Sequence, residues 1–165
     1  MFGRWNEYHF VTHWRIESDI ASVYEVLHDP LNYPNWWKGP HLQAAELKPG
    51  NEEGLNRIVG FEMRGWLPYT LRWRLRCTEV RKPYGFASES SGDFVGHGVW
   101  SFKQDGPFVD IIFDWRIRAE KPFLRYFSFL LKPIFTANHD WVMKKWEESL
   151  KLELVRRRDK SVLVA

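Results

Sequence analysis

From about His41 to Arg118 the apolar residues recur at every second position, and beyond Pro122 they recur at helical spacing. That switch of period, made once and late, does most to limit what the chain can become. Alternation at period two is the mark of strands with one apolar and one wet face, as in an antiparallel sheet. Tyr69 to Val80 places Tyr69, Leu71, Trp73, Leu75 and Cys77 on one face and Thr70, Arg72, Arg74, Arg76 and Thr78 on the other. Phe108 to Arg118 repeats the pattern, with Val109, Ile111, Phe113, Trp115 and Ile117 set against Asp110, Asp114, Arg116 and Arg118. Gly54 to Arg64 does so with Leu55, Val59, Phe61 and Met63 inward. Turn signals punctuate the region at Lys48-Pro49-Gly50, Gly65 to Pro68, Lys82-Pro83, Gly92-Asp93 and Asp105-Gly106-Pro107. Gly96 and Gly98, inside the strand Phe94 to Lys103, predict a bend or bulge that curves the sheet.

Ahead of this region, Tyr8 to Glu17 also alternates. Ser18 or Asp19 offers an N-cap, and Ile20, Val23, Tyr24 and Leu27 define a short amphipathic helix over 19–28. Asp29-Pro30 ends it, and Leu31 to Trp37 reads as a second short helix or turn. The last third is helical from Pro122 to about Arg158, with Pro133 as an expected kink or break. The order is β-α-α-β6-α. A sheet with one apolar face must be covered, and the only long element left is the C-terminal helix. The fold class is therefore α+β, a curved antiparallel sheet of about seven strands wrapped around that helix. The whole of 1–165 reads as one domain, with a basic tail at about 156–165.

On that helix Phe135, Val142, Trp146 and Leu150 fall within about 80° of arc, and Met143 and Leu154 widen the stripe. His139 lies near its centre, flanked by Asn138 and Ser149. Three readings of His139 stand open: a neutral core histidine bonded to a neighbour, a polar anchor for a ligand, or a general acid or base. The facing sheet supplies Phe61, Trp73, Trp100 and Trp115. Ten tryptophans, twelve phenylalanines and six tyrosines make ring content the outlier of the composition. Each large ring buries on the order of 150–250 Å², so the rings either fill the interior or line a cavity. Arg57 falls on the apolar parity of its strand. It reaches solvent at a strand end or meets a ligand carboxylate.

Net charge is +3, and the four basic residues and one acidic residue of 156–160 account for it. The rest of the chain is neutral, which does not suit DNA binding. The outer stripe Arg72, Arg74 and Arg76 is either an anion or RNA platform, or is paired across strands with acids such as Asp110, Asp114 and Glu62. His9 and His13 share a strand face without an evident third ligand, so no metal is expected. Cys77, the lone cysteine, reads as packing. No nucleotide-binding or nucleophile-elbow motif is present, and no cofactor is implied. The N-terminus carries no apolar signal region and Pro122 to Phe135 is too short to span a bilayer. A cytoplasmic protein without stable membrane insertion is therefore expected.

The element order, with VLHDPLNYPNWW closing the short helices, resembles the START-related helix-grip superfamily. That superfamily includes the birch pollen allergen and the polyketide cyclase/dehydrase-like proteins. The segments LRWRLRCTEV, SGDFVGHGVWSF and NHDWVMKKWEESLK are most similar to small bacterial members of the second group, and the likeness runs from about Tyr8 to about Arg157. The resemblance implies a ligand held between the sheet's concave face and the long helix. Members carry lipids, hormones or polyketides, some catalyse cyclisation or dehydration, and some act with the ribosome or RNA. It supplies no shared catalytic set: Asn138, His139 and Asp140 match a family segment without an assigned role. The expected function is binding or transfer of an apolar small molecule. A polyketide cyclase/dehydrase-like enzyme with His139 as acid or base is the first alternative, and an RNA-associated protein the second. The expected ligand-binding residues are Phe61, Trp73, Trp100, Trp115, Phe135, Asn138, His139, Val142, Trp146 and Arg57.

Overall fold

The computed structural model describes residues 6–65 and 69–164. The expected turn at Gly65 to Pro68 lies mostly outside these, as does the N-terminal stretch Met1–Trp5. The elements are β1 (Glu7–Glu17), α1 (Ile20–Leu27), a 3-10 turn (Pro30–Asn32), α2 (Tyr33–Trp36), β2 (His41–Lys48), β3 (Ile58–Arg64), β4 (Leu71–Arg81), β5 (Gly85–Gly92), β6 (Phe94–Asp105), β7 (Phe108–Ala119) and α3 (Pro122–Val164). The seven strands form one sheet in the order β1-β7-β6-β5-β4-β3-β2, antiparallel throughout. The chain thus leaves one edge at β1, crosses to the other edge through α1 and α2, and returns hairpin by hairpin to pair β7 with β1. This is the helix-grip architecture: a curved sheet closed around α3.

Local chemistry accounts for the elements. Asp19 caps α1: its carboxylate accepts from the Ser22 backbone N–H at 2.8 Å, and hydrogen bonding to Ser22 holds its pKa below the usual aspartate value. The helix then buries Val23, Tyr24, Val26 and Leu27. Asp19→Ala is expected to cost about 1 kcal/mol, as loss of an N-cap does. Urea denaturation checks it; an unchanged midpoint would show that α1 is held by packing alone. Tyr33 tethers the second turn by donating its hydroxyl to the Leu27 carbonyl.

Three expectations need correction. The strand predicted over Gly54 to Arg64 starts only at Ile58, because Asn56 takes a left-handed conformation (φ 64°) and breaks the alternation just ahead of Arg57. No bulge occurs at Gly96 or Gly98: β6 keeps an unbroken register against β7, from Phe94 opposite Ala119 to Asp105 opposite Phe108. The register shifts lie instead at Glu46/Lys48 and Cys77/Glu79. Gly98 has another role, since a Cβ there would sit 2.7 Å from the Phe113 ring. Finally, α3 runs through Pro133 without interruption and on past Arg158 to Val164. Arg156 and Arg157, from the expected basic tail, are paired within the helix. Both donate to Glu153, which is only 4% exposed and whose pKa their hydrogen bonds lower.

The concave face carries a ladder of near-parallel rings. Phe10 stacks on Trp115, Trp115 on Phe113, Phe113 on Trp100 at 4.2 Å, and Trp100 on Phe86. From α3, Trp146 meets this ladder edge-on at Trp100 and Phe113, and it stacks at 4.3 Å on Trp37 from the end of α2. Offset and edge-to-face contacts of this kind add about 0.5–1.5 kcal/mol per pair beyond area burial. They fix where sheet, short helices and α3 meet.

Candidate functional site

The rings do not fill the interior. A cavity of about 130 Å³ remains between the concave face and α3, with a wall that is largely apolar. The structure brings all ten of the sequence-selected residues to this one cavity. Trp100 and Trp146 line it in edge-to-face contact, and Phe61 and Trp73 line it as a stacked pair. Phe135, Asn138, His139 and Val142 line it from successive turns of α3, and Trp115 lies against His139. Arg57 bounds the opposite end, near His28 and Gly54.

Sequence reasoning missed several wall residues. Tyr33 and Trp37 come from short helical turns, where no period reveals a face. Phe94 is the first residue after a turn, and Phe86 lies in a strand too serine-rich to show alternation. Phe113 was readable, since it shares the inward parity of Trp115. Met63, Leu71, Cys77 and Met143 also line the cavity. Burial pushes the Cys77 thiol pKa up, which suits a packing role and not a nucleophile.

The wall's electrostatics are simple. Arg57 is its only lysine, arginine or carboxylate side chain among the described residues. Its guanidinium is 2.8 Å from Glu46 and 3.3 Å from Asp29, so its charge is matched within the chain. His139 is 8% exposed and lies flat against Phe10 at 3.8 Å between ring centroids. Desolvation lowers its pKa to about 4, only partly opposed by Asp140, so it is neutral at pH 7. Asp140 stands 3.5 Å from Nδ1, at the outer limit of contact, and both ring nitrogens of His139 are buried without a close hydrogen-bond partner. Asn138 Oδ1, Trp146 Nε1 and Trp37 Nε1 are likewise buried and unpartnered. Buried polar groups in folded proteins are satisfied in roughly nine cases in ten or more. Five of the ten such atoms among the described residues belong to four residues of this one wall.

The outer face gives the opposite picture. Arg72 pairs with Glu62 at 3.0 Å and Arg76 with Glu89 at 2.6 Å. Asp110 and Asp114, expected as partners of that stripe, serve β1 instead: Asp110 pairs with Arg15, and Asp114 with His9. The reason is sheet order, since β7 lies three strands from β4. His9 and His13 each face a carboxylate, and no cluster suited to a metal occurs among the described residues. No described helix is long and apolar enough to cross a membrane.

No protein-family model matches the sequence, and no curated protein matches it significantly. Solved structures do match. An aromatase/cyclase from Streptomyces sp. R1128 aligns over 92% of this chain and 95% of its own, with TM-score 0.65 and 16% identity. A START superfamily protein from Mycobacterium smegmatis aligns over 90% and 97%, with TM-score 0.67 and 10% identity. A protein from Thermus thermophilus aligns over 86% and 96%, with TM-score 0.67 and 16% identity. At 10–16% identity the likeness is one of fold: this chain shares the helix-grip architecture of these solved structures.

Proposed function

We propose that the protein binds an uncharged, mainly apolar small molecule between the sheet and α3, with Asn138 and His139 as its polar anchors. The cluster of unpartnered polar atoms on an otherwise apolar wall carries this reading. Neutral His139 has one nitrogen to donate and one to accept, and Asn138 Oδ1 accepts. A ligand hydroxyl can donate to one of the two acceptors while a hydroxyl or carbonyl oxygen accepts from the imidazole N–H, so a hydroxyl meets more of these atoms than a carbonyl alone. A carboxylate fits poorly, because Arg57 is already matched and no other lysine or arginine lines the described wall. The space is close to the roughly 150 Å³ of an engineered apolar cavity that takes up benzene. A single ring therefore fits the cavity as it stands, and a larger ligand requires the wall to move.

Binding is favoured over catalysis by the same histidine. A base whose pKa lies near 4 accepts protons weakly at neutral pH, since the best catalytic pKa lies near the working pH. RNA binding is disfavoured by the pairing of Arg72 and Arg76. The test is a thermal-shift and calorimetry series comparing a single-ring phenol or aryl ketone with its carboxylate analogue, alongside native mass spectrometry of the purified protein. The neutral compounds are expected to raise the melting temperature and to bind about tenfold or more tightly than the acid, given the cost of burying an unpaired carboxylate. Equal binding of the carboxylate would sink the reading. So would an absence of binding together with no co-purifying small molecule.

A further inference from the structure

The first half of α3 has a second apolar face that is largely exposed among the described residues. Phe123, Tyr126, Phe127, Phe129, Leu130 and Ile134 are each 42% exposed or more, with Tyr126 at 72% and Leu130 at 61%. At 100° per residue, five of them fall within about 100° of arc, and Phe129 extends it by about 60°. This arc is turned by roughly 120° from the stripe of Leu124, Phe135, Asn138 and Val142 that faces the sheet. Among the described residues only its N-terminal end is engaged, where Phe123 meets Tyr69 and Phe127. Half-exposing six side chains of this size leaves roughly 600 Å² of apolar surface, at the upper limit for a patch on a monomer.

Charge is distributed to one side. Between Glu120 and Asp140 the chain carries Lys121, just ahead of α3, and Arg125 and Lys132 within it, and no carboxylate. Lys121, at the very start, is turned to Asp93 at 3.7 Å. Arg125 and Lys132 both lie on the flank next to Phe129, between the exposed arc and the sheet-facing stripe. Arg125 is 59% exposed and forms a long ion pair with Glu120 at 3.7 Å, while Lys132 donates to the Glu7 carbonyl and lies over the Tyr8 ring. An aromatic and aliphatic ridge bordered by cations is the pattern of a helix that lies in a membrane interface, with rings among acyl chains and cations at the phosphates. A second copy of the chain is the poorer occupant. The patch falls short of the roughly 800 Å² per partner of a stable interface, and it would bring Arg125 and Lys132 of two copies together.

We infer that residues 123–134 of α3 dock the protein on the surface of an anionic bilayer, peripherally and without insertion of a span. The segment runs directly into Phe135, Asn138 and His139 of the cavity wall, so one helix would face lipid on one side and the cavity end on the other. The inference does not depend on the ligand reading, because docking is measured on ligand-free protein.

The test is flotation with vesicles of mixed phosphatidylcholine and phosphatidylglycerol, and with vesicles of phosphatidylcholine alone, using the full chain. The protein is expected to float with the mixed vesicles, and the double variant Tyr126→Glu with Leu130→Glu to lose about tenfold or more of that partition. Both residues are exposed, so circular dichroism and thermal midpoint should match the parent. Arg125→Gln should weaken binding to the mixed vesicles only. Failure to float, equal flotation of the double variant, or equal binding to pure phosphatidylcholine would each overturn the proposal. So would a dimer in sedimentation experiments that the double variant dissociates, which would make a second copy the occupant.

Discussion

Trp146→Ala is expected to cost about 3–5 kcal/mol of folding stability, the range for emptying a large aromatic site. For a domain worth about 5–15 kcal/mol in all, that is roughly a fifth of the total or more. The reason is the number of elements that meet at this one ring. Trp146 packs edge-on against Trp14 of β1, Trp100 of β6 and Phe113 of β7, and it contacts Tyr33 and Trp37 of the α2 region. Removing it unpins α3 from the sheet and from the short helices at once. The lost indole also borders the cavity, so the same change should enlarge the space and admit a bicyclic ligand that the parent excludes. Urea denaturation reads the first effect and calorimetry with a two-ring neutral compound reads the second. A stability loss below about 1 kcal/mol would mean that the surrounding rings collapse into the gap, and then no gain in ligand size should follow.

That a single helical residue can be so placed was legible in the sequence only in part. The period of the α3 stripe identified Phe135, Val142, Trp146 and Leu150 as one face, and all four are buried. Parity alone put Phe61, Trp100 and Ile111 inward, where they lie. These residues could be read because a regular element repeats its geometry: a face once found persists. What failed to register has the opposite property. The φ of 64° at Asn56 is a single-residue event that ended a strand's alternation early, and nothing periodic announces it. Gly98 looked like a bulge because a glycine in a strand signals a bend or a close approach equally well, and only the position of Phe113 decides. Arg57 was ambiguous for a related reason. Its partners Asp29 and Glu46 lie 28 and 11 residues away in the chain and meet it only through tertiary structure. The exposed ridge of α3 was hidden by the same rule that exposed the core stripe, since a helix apolar on two faces shows weak amphipathicity on either.

His139→Leu is expected to separate stability from binding in opposite directions. The histidine buries two nitrogens with no partner, and such groups each cost about 1–3 kcal/mol when left unmet. Leucine keeps apolar bulk against Phe10 and Trp115 and removes those groups, so the variant should be as stable as the parent at pH 7 or more stable, while binding the neutral ligand about tenfold or more weakly. The pH dependence gives an independent reading. The folded pKa is about 4 and the ordinary value is 6.5. Between those values the unfolded chain holds the extra proton, so stability rises with pH across the window. The contribution is full above about pH 6.5, falls away as the pH drops, and is lost by about pH 4, amounting to on the order of 3 kcal/mol. His28, whose pKa is also lowered by burial, acts in the same direction, and the difference between parent and variant isolates His139. Asp19 and Glu153 have lowered pKa values, so their contributions fade from the ordinary carboxylate values downward, overlapping only the acid end of this window, and they are common to parent and variant. Stability measured by urea from pH 7 to pH 4 should therefore decline more steeply in the parent than in His139→Leu. Should the variant lose more than about 2 kcal/mol at pH 7 while keeping the same acid slope, well beyond what an apolar swap at an unpartnered site can cost, His139 would be an ordinary bonded histidine of the core. The polar anchor of the site would then have to be sought at Asn138 alone.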